Sequence, residues 1–225
     1  MTQGGLHQAS GYTLYWEAMS GAMAVELVLE EMHVPYRLQP VDMASGQHRT
    51  HEYLKLNPTG QIPALAFPDG RVIGESAAII LALGDRHPDT GLVPATDAND
   101  RPFFLRWLIY MAASPYMTFV QLNHPERFLD DPTTHDALIE NARLRLENQF
   151  SALDTAISGE PFFPRSGPTA LDLYAYMLVS FFPERERLLA ERRKLRRMVE
   201  TVKGRDSVQI VMPRHKSYRL RMQSR

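Results

Sequence analysis

The stretch Asn57-Pro58-Thr59-Gly60-Gln61-Ile62-Pro63-Ala64-Leu65, followed after a short gap by Gly74-Glu75-Ser76-Ala77-Ala78-Ile79-Ile80, decides the reading of this chain. It reads as a loop, a short strand turning at Asp69-Gly70, a second strand through Val72-Ile73, and then a helix start. Pro63 stands at the entry of a strand, where a missing N–H is tolerable only at an edge, a first position or a cis bend. Ser76 stands where the second strand gives way to an apolar helix. Its hydroxyl and the unpaired N–H groups of that first turn make an anion site. Taken singly, an edge proline and a helix cap need no ligand.

Together, in this order and spacing, the two motifs resemble those of the glutathione transferase family. There, NPxGQ(I/V)PAL closes a thioredoxin-like domain with a cis-proline, and ESAAI begins the helix that holds the γ-glutamyl end of glutathione. The resemblance implies a fold of class α/β plus all-α. An N-terminal thioredoxin-like domain, βαβαββα, is followed by a C-terminal helical bundle domain.

Outward from the motifs, the elements agree with that order. Tyr12 to Trp16 is β-branched and aromatic and reads as a first strand. Val25, Val28, Leu29 and Met32 recur on one helical face, Pro35 ends that helix, and Tyr36 to Val41 reads as a second strand. A strand–helix–strand unit of this length implies parallel pairing. Asp42 to Thr50 is a polar loop, His51 to Leu56 a short irregular helix, and Ser76 to Arg86 a helix.

His87 to Pro94 carries two prolines and a glycine and is the best domain boundary. The domains expected are a flexible leader 1–11, a glutathione-binding domain 12–86, a linker 87–98, and an all-helical domain 99–225 with a basic tail. In the last, Phe103 to Leu122 reads as one helix kinked at Pro115, and Ala142, Leu146, Phe150, Leu153 and Ile157 mark another. Thr169 with Asp172 is a capping-box start, and Leu171, Tyr174, Leu178 and Phe181 form the stripe behind it. Glu184 to Lys203 reads as one charged helix, and Lys203 to Val208 resembles the family's usual break before a last short helix. The tail residues Arg214, Lys216, Arg219, Arg221 and Arg225 read either as a phosphate or RNA patch or as a solvated, frayed terminus.

The chain has 225 residues, 44% of them apolar, and a net charge of −1, so nothing global favours nucleic acid or a membrane surface. No apolar run approaches the ~18 residues of a membrane span, and the N-terminus lacks a signal-peptide pattern. A cytoplasmic protein is the expectation. There is no cysteine. Disulfides, thiolate metal sites and Cys-x-x-Cys chemistry are therefore excluded, and any thiol must come from the substrate.

For the site, the resemblance implies Ser76 and the amides behind it on the γ-glutamyl carboxylate, and Glu75 on the amine. Ile62 would pair its backbone with the cysteinyl residue like an added strand, with Gln61 beside it and cis-proline Pro63 turning that edge outward. His48 falls where several members place a histidine near the glycine carboxylate; a loop histidine in water is the alternative. His48 and His51 have no third ligand, so no metal is expected.

Thiol activation needs a donor, and the resemblance implies a Tyr, Ser or Cys at the end of the first strand or in the loop after it, here Trp16 to Ala22. Counted back from the helix, the cysteine-type position falls on Gly21 and the serine-type position on Met19, neither of which can donate. Ser20 is the only hydroxyl in the loop, as catalytic donor or plain cap. Tyr15 is the second candidate, and strand alternation makes it equally a core residue. The hydrophobic acceptor site is expected between the domains, with Trp16, Met19, Tyr110, Met111, Tyr116 and Phe119 as liners. The same stripe at helical spacing also fits core.

The implied function is a detoxifying glutathione transferase, with glutathione as co-substrate and a small hydrophobic electrophile, acting as a homodimer without membrane or nucleic acid. One alternative is a glutathione-dependent disulfide reductase or isomerase, its glutaredoxin-like version removed by the missing cysteine. Another is a non-catalytic transferase-like protein in a transcription, translation or stress complex.

Overall fold

The computed structural model describes residues 11–223. The expected leader thus lies, but for Gly11, outside the described residues. The chain forms two compact units. One combines the residues up to Ala82 with those from Val211 on; the other is Leu83–Ile210.

The first unit carries β1 (Tyr12–Trp16), α1 (Ala22–Glu31), β2 (Tyr36–Pro40), α2 (His51–Leu56), β3 (Ala64–Ala66), β4 (Val72–Gly74) and the start of α3 (Ser76–Arg86). This is the thioredoxin-like order. The sheet runs β2-β1-β3-β4. β1 pairs parallel with β2 (Leu14 opposite Leu38) and antiparallel with β3 (Leu14 opposite Leu65), and β3 pairs antiparallel with β4 (Leu65 opposite Ile73). The parallel pair requires the α1 crossover, and the short β3–β4 hairpin requires only a turn. At that turn Gly70 takes φ 85, and the Asp69 carboxylate accepts the Arg71 N–H at 3.0 Å. Helix α1 is apolar nearly all round and is buried from Ala22 through Leu29, as such a helix must be. Its one acidic exception in that run, Glu26, is fully enclosed.

The second unit is helical. The helix expected over 103–122 is two, α4 (Arg101–Ala113) and α5 (Pro115–Asn123). Pro115 starts a helix rather than kinking one, because its missing N–H costs nothing at a first turn. Then come α6 (His135–Ala156) and α7 (Ala170–Phe181). Helix α7 is the core, with every residue from Ala170 through Val179 buried. Its start is the expected capping box, with Thr169 and Asp172 bonded reciprocally. The Asp172 carboxylate also accepts the Phe163 N–H at 2.7 Å, joining the preceding loop to the helix head. Burial pushes its carboxyl up to about 6 against those hydrogen bonds.

Two further expectations are corrected. Residues 184–203 form not one helix but α8 (Arg185–Ala190) and α9 (Arg193–Lys203). Arg192 at the joint is buried, donating to the Leu188 carbonyl at 2.9 Å and to the Glu147 carboxylate at 2.7 Å. The last helix, α10 (Asp206–Gln223), is 18 residues and not short. From Val211 on it belongs to the first unit, so Arg214, Lys216, Arg219 and Arg221 lie in a helix of that unit and not in a frayed end, while Arg225 lies outside the described residues.

Candidate functional site

The loop before β3 is set by two side chains of the α2 region. The Gln61 carbonyl accepts the Tyr53 hydroxyl at 2.7 Å and the Asn57 amide at 2.9 Å. Asn57 Oδ1 in turn accepts the Thr59 hydroxyl at 2.9 Å. Burial pushes the Tyr53 hydroxyl up to about 12, so it stays a donor throughout the neutral range. Gly60 takes φ 62, and a Cβ there would stand 3.2 Å from the His48 carbonyl oxygen, which explains the glycine of the motif. The peptide between Ile62 and Pro63 is cis. Ladder pairing starts at Ala64, so the N–H and C=O of Ile62 lie beyond its last pair. The Gln61 side chain is exposed.

Next to this loop in the sheet order, β4 delivers the chain to α3. Glu75 has φ 63, the left-handed region, which costs a residue with a Cβ of order 1 kcal/mol or more. Its carbonyl accepts the Ile79 N–H at 2.9 Å, so Glu75 is the residue that opens the helix. Its carboxylate is exposed, Ser76 is half-buried, and the first turn of α3 holds no acidic side chain. Within the helix itself, then, no acidic residue of the first turn opposes an anion at the positive end of the dipole.

The loop after β1 is held differently. The Ser20 hydroxyl donates to the Glu17 carbonyl at 2.8 Å and accepts the Ala22 N–H at 3.2 Å, so it caps the entry to α1. Met19 is half-buried with φ 58, and its N–H donates to His215 Nδ1 at 3.0 Å. Gly21 is the N-cap position and offers no side chain. Tyr15 is half-buried and packs edge-on against Tyr53, ring centres 6.0 Å apart. Trp16, expected as a pocket wall, is a core residue. It is 3% exposed, with the rings of His215 and Tyr218 both 4.9 Å away.

His48 is buried in a short 3-10 turn, and its Nε2 accepts from Arg49 Nε at 3.2 Å. That replaces the reading as a loop histidine in water. His51 is exposed. Among the described residues no group of three or more His, Asp or Glu side chains is arranged to hold a metal.

Of the liners placed on the second unit, Tyr110 and Tyr116 are half-buried. Met111 is fully buried, and Phe119 is enclosed by Phe150, Phe181 and Phe182 at ring distances of 6.1 to 6.2 Å. Both belong to the core of their own unit, the outcome that helical spacing equally allowed. Sequence reasoning missed Tyr53, Asn57 and His215. Asn57 stood inside the quoted motif and was available as a signal; His215 had none.

The model of the glutathione S-transferase N-terminal domain matches residues 19–86. The protein named uncharacterized GST-like protein YncG of Escherichia coli K12 is 30% identical over 74% of this chain and 80% of its own. Glutathione S-transferase GST-4.5 of Xanthomonas campestris pv. campestris is 27% identical over 73% and 79%. Among solved structures, a glutathione transferase homolog from Sulfitobacter with bound glutathione superposes with a TM-score of 0.84 at 21% identity, covering 91% of this chain and 98% of its own. Fold and motifs define a two-domain protein built on a thioredoxin-like unit. The chain belongs to the glutathione S-transferase family.

Proposed function

We propose that the protein is a glutathione transferase, which activates the thiol of bound glutathione for attack on a small hydrophobic electrophile. The observation that carries this reading is the left-handed Glu75 at the head of α3, one strand away from the cis Ile62–Pro63 edge. Backbone strain at an exposed acidic residue is retained where it aims a group at a ligand. Ser76 and the first-turn amides take the γ-glutamyl carboxylate, and Glu75 takes the amine. Ile62 pairs with the cysteinyl backbone, Gln61 assists, and His48 with its partner Arg49 serves the glycine carboxylate.

A free thiol has pKa near ~8.5, and lowering it by ~2 units needs about 2.7 kcal/mol of preference for the anion. In this reading Ser20 supplies the side-chain donor. Its proton lies on the Glu17 carbonyl, a neutral bond worth about 1 kcal/mol. A bond to a thiolate is charge-assisted and stronger, so the hydroxyl turns to the sulfur when glutathione is present. The sulfur then forms its bond to the electrophilic carbon, the leaving group departs with its electron pair, and the thiol proton goes to solvent. Tyr15 is the second candidate for the donor. Tyr110 and Tyr116 are proposed to touch the electrophile. The reading includes a homodimer working in the cytoplasm; among the described residues no helix is long and apolar enough to cross a membrane.

One observation favours a second reading, a glutathione-binding protein without turnover: Met19 and Gly21 offer no donor side chain, and Ser20 already caps its loop. Glutathione-dependent displacement of chloride from an activated aryl chloride separates the two. A rate above the uncatalysed reaction that saturates in both substrates supports the transferase. Glutathione binding with no rate above background supports the second reading.

A further inference from the structure

Helix α10 sends two side chains onto α1. Glu26, fully enclosed, takes the Arg214 guanidinium on Oε1 and His215 Nε2 on Oε2 at 2.8 Å. Arg214 also donates to the Tyr36 hydroxyl at 2.8 Å, and Tyr36 donates to Glu30 at 2.5 Å. His215 is itself fully buried. The arrangement settles its tautomer. A backbone N–H can only donate, so the nitrogen facing Met19, Nδ1, is the acceptor and Nε2 carries the proton toward Glu26. Nδ1 is then a lone pair, which accepts the Met19 N–H at 3.0 Å. A carboxylate–imidazole–amide chain results, linking residues 189 and 196 positions apart in sequence.

Its end lies in the loop after β1. The bond fixes the peptide plane between Ala18 and Met19, immediately before Ser20, and it holds Met19 at φ 58. Without a partner, a left-handed residue with a Cβ is strained relative to the extended region and tends to return to it. The Trp16 ring packs edge-on against His215, ring centres 4.9 Å apart, and the imidazole is buried from bulk solvent.

We propose that His215 is a positioning residue for thiol activation. It holds the Met19 amide, and with it the Ser20 loop, in the geometry that receives the glutathione sulfur, while Glu26 fixes its tautomer. This rests on the transferase reading above. It acts on the sulfur end of glutathione only, since the carboxylate ends are assigned to α3 and His48. Loss of the tie therefore lowers kcat and leaves the glutathione KM nearly unchanged.

Two substitutions divide the imidazole. Asn at 215 carries its oxygen near the place of Nδ1 and can still accept from Met19. Gln carries its nitrogen near the place of Nε2 and can still donate to Glu26, but it gives Met19 no acceptor. The measurements are backbone amide exchange at Met19, together with kcat and KM for glutathione with an activated aryl chloride. In the wild type and His215→Asn the Met19 amide is protected, and kcat agrees to within about threefold. In His215→Gln the Met19 amide exchanges freely and kcat falls about tenfold or more, with KM within about twofold. Free exchange at Met19 in the wild type, or an unchanged kcat in His215→Gln beside an active wild type, overturns the positioning role and leaves the transferase reading standing. A wild type that binds glutathione with no turnover overturns both. Should both variants lose kcat while Met19 stays protected in each, His215 is a packing residue and the proposal fails.

Discussion

The Asn57 carboxamide donates to the Gln61 carbonyl at 2.9 Å, and this bond orients the segment that leads into the cis peptide at Ile62–Pro63. The partner bond from Tyr53 at 2.7 Å makes the anchor double. Asn57→Ala leaves half of it and strands the Thr59 hydroxyl that Asn57 Oδ1 accepts. A stability loss of about 1–3 kcal/mol is expected, read from the denaturant midpoint. Glutathione affinity should fall with it, because the Ile62 backbone loses its fixed position.

Glu75→Asn separates strain from function. Asn is several-fold enriched at positive φ, so the fold should gain about 0.5 kcal/mol in a thermal or denaturant melt. Glutathione binding should weaken all the same, because the carboxylate assigned to the amine is shortened and neutralised. A fold that loses stability would show that Glu75 is held there by contacts of its own.

Ser20→Ala tests cap against donor. The lost cap on the Ala22 N–H costs about 1 kcal/mol of stability in either case. Only the donor role also removes the ultraviolet thiolate absorbance of bound glutathione near neutral pH. Unchanged absorbance with the stability loss would leave Ser20 a cap.

Asp172 makes stability fall with rising pH. Its folded carboxyl, at about 6, holds its proton more tightly than the unfolded chain at 3.8. The group's stabilisation is thus full below about pH 4 and is lost as pH rises through about 6, at most about 3 kcal/mol in all. Asp172→Asn should remove that slope from a series of denaturant midpoints taken between about pH 4 and pH 7. An unchanged slope would mean that the carboxylate is ionised throughout.

The first unit was largely legible because its signals are local. Tyr12 to Trp16 and Ser76 to Arg86 coincide with β1 and α3, and the Thr169–Asp172 box opens α7 as expected. What escaped was non-local. Nothing near Arg214 or His215 reveals Glu26, and a charged run reads as solvated until a buried partner is known. The split at Arg192 carries no proline or glycine; it follows from burying a guanidinium among Leu188, Glu147 and Ser151. At Phe119 the period of a helix face could not tell a ligand wall from a core.

The most direct measurement is calorimetric titration of glutathione into the wild type and into Ser76→Ala at neutral pH. Micromolar-to-millimolar binding to the wild type, abolished by Ser76→Ala, is the expected result. No detectable binding to the wild type would contradict it, leaving a protein that kept the fold of its family without the ligand.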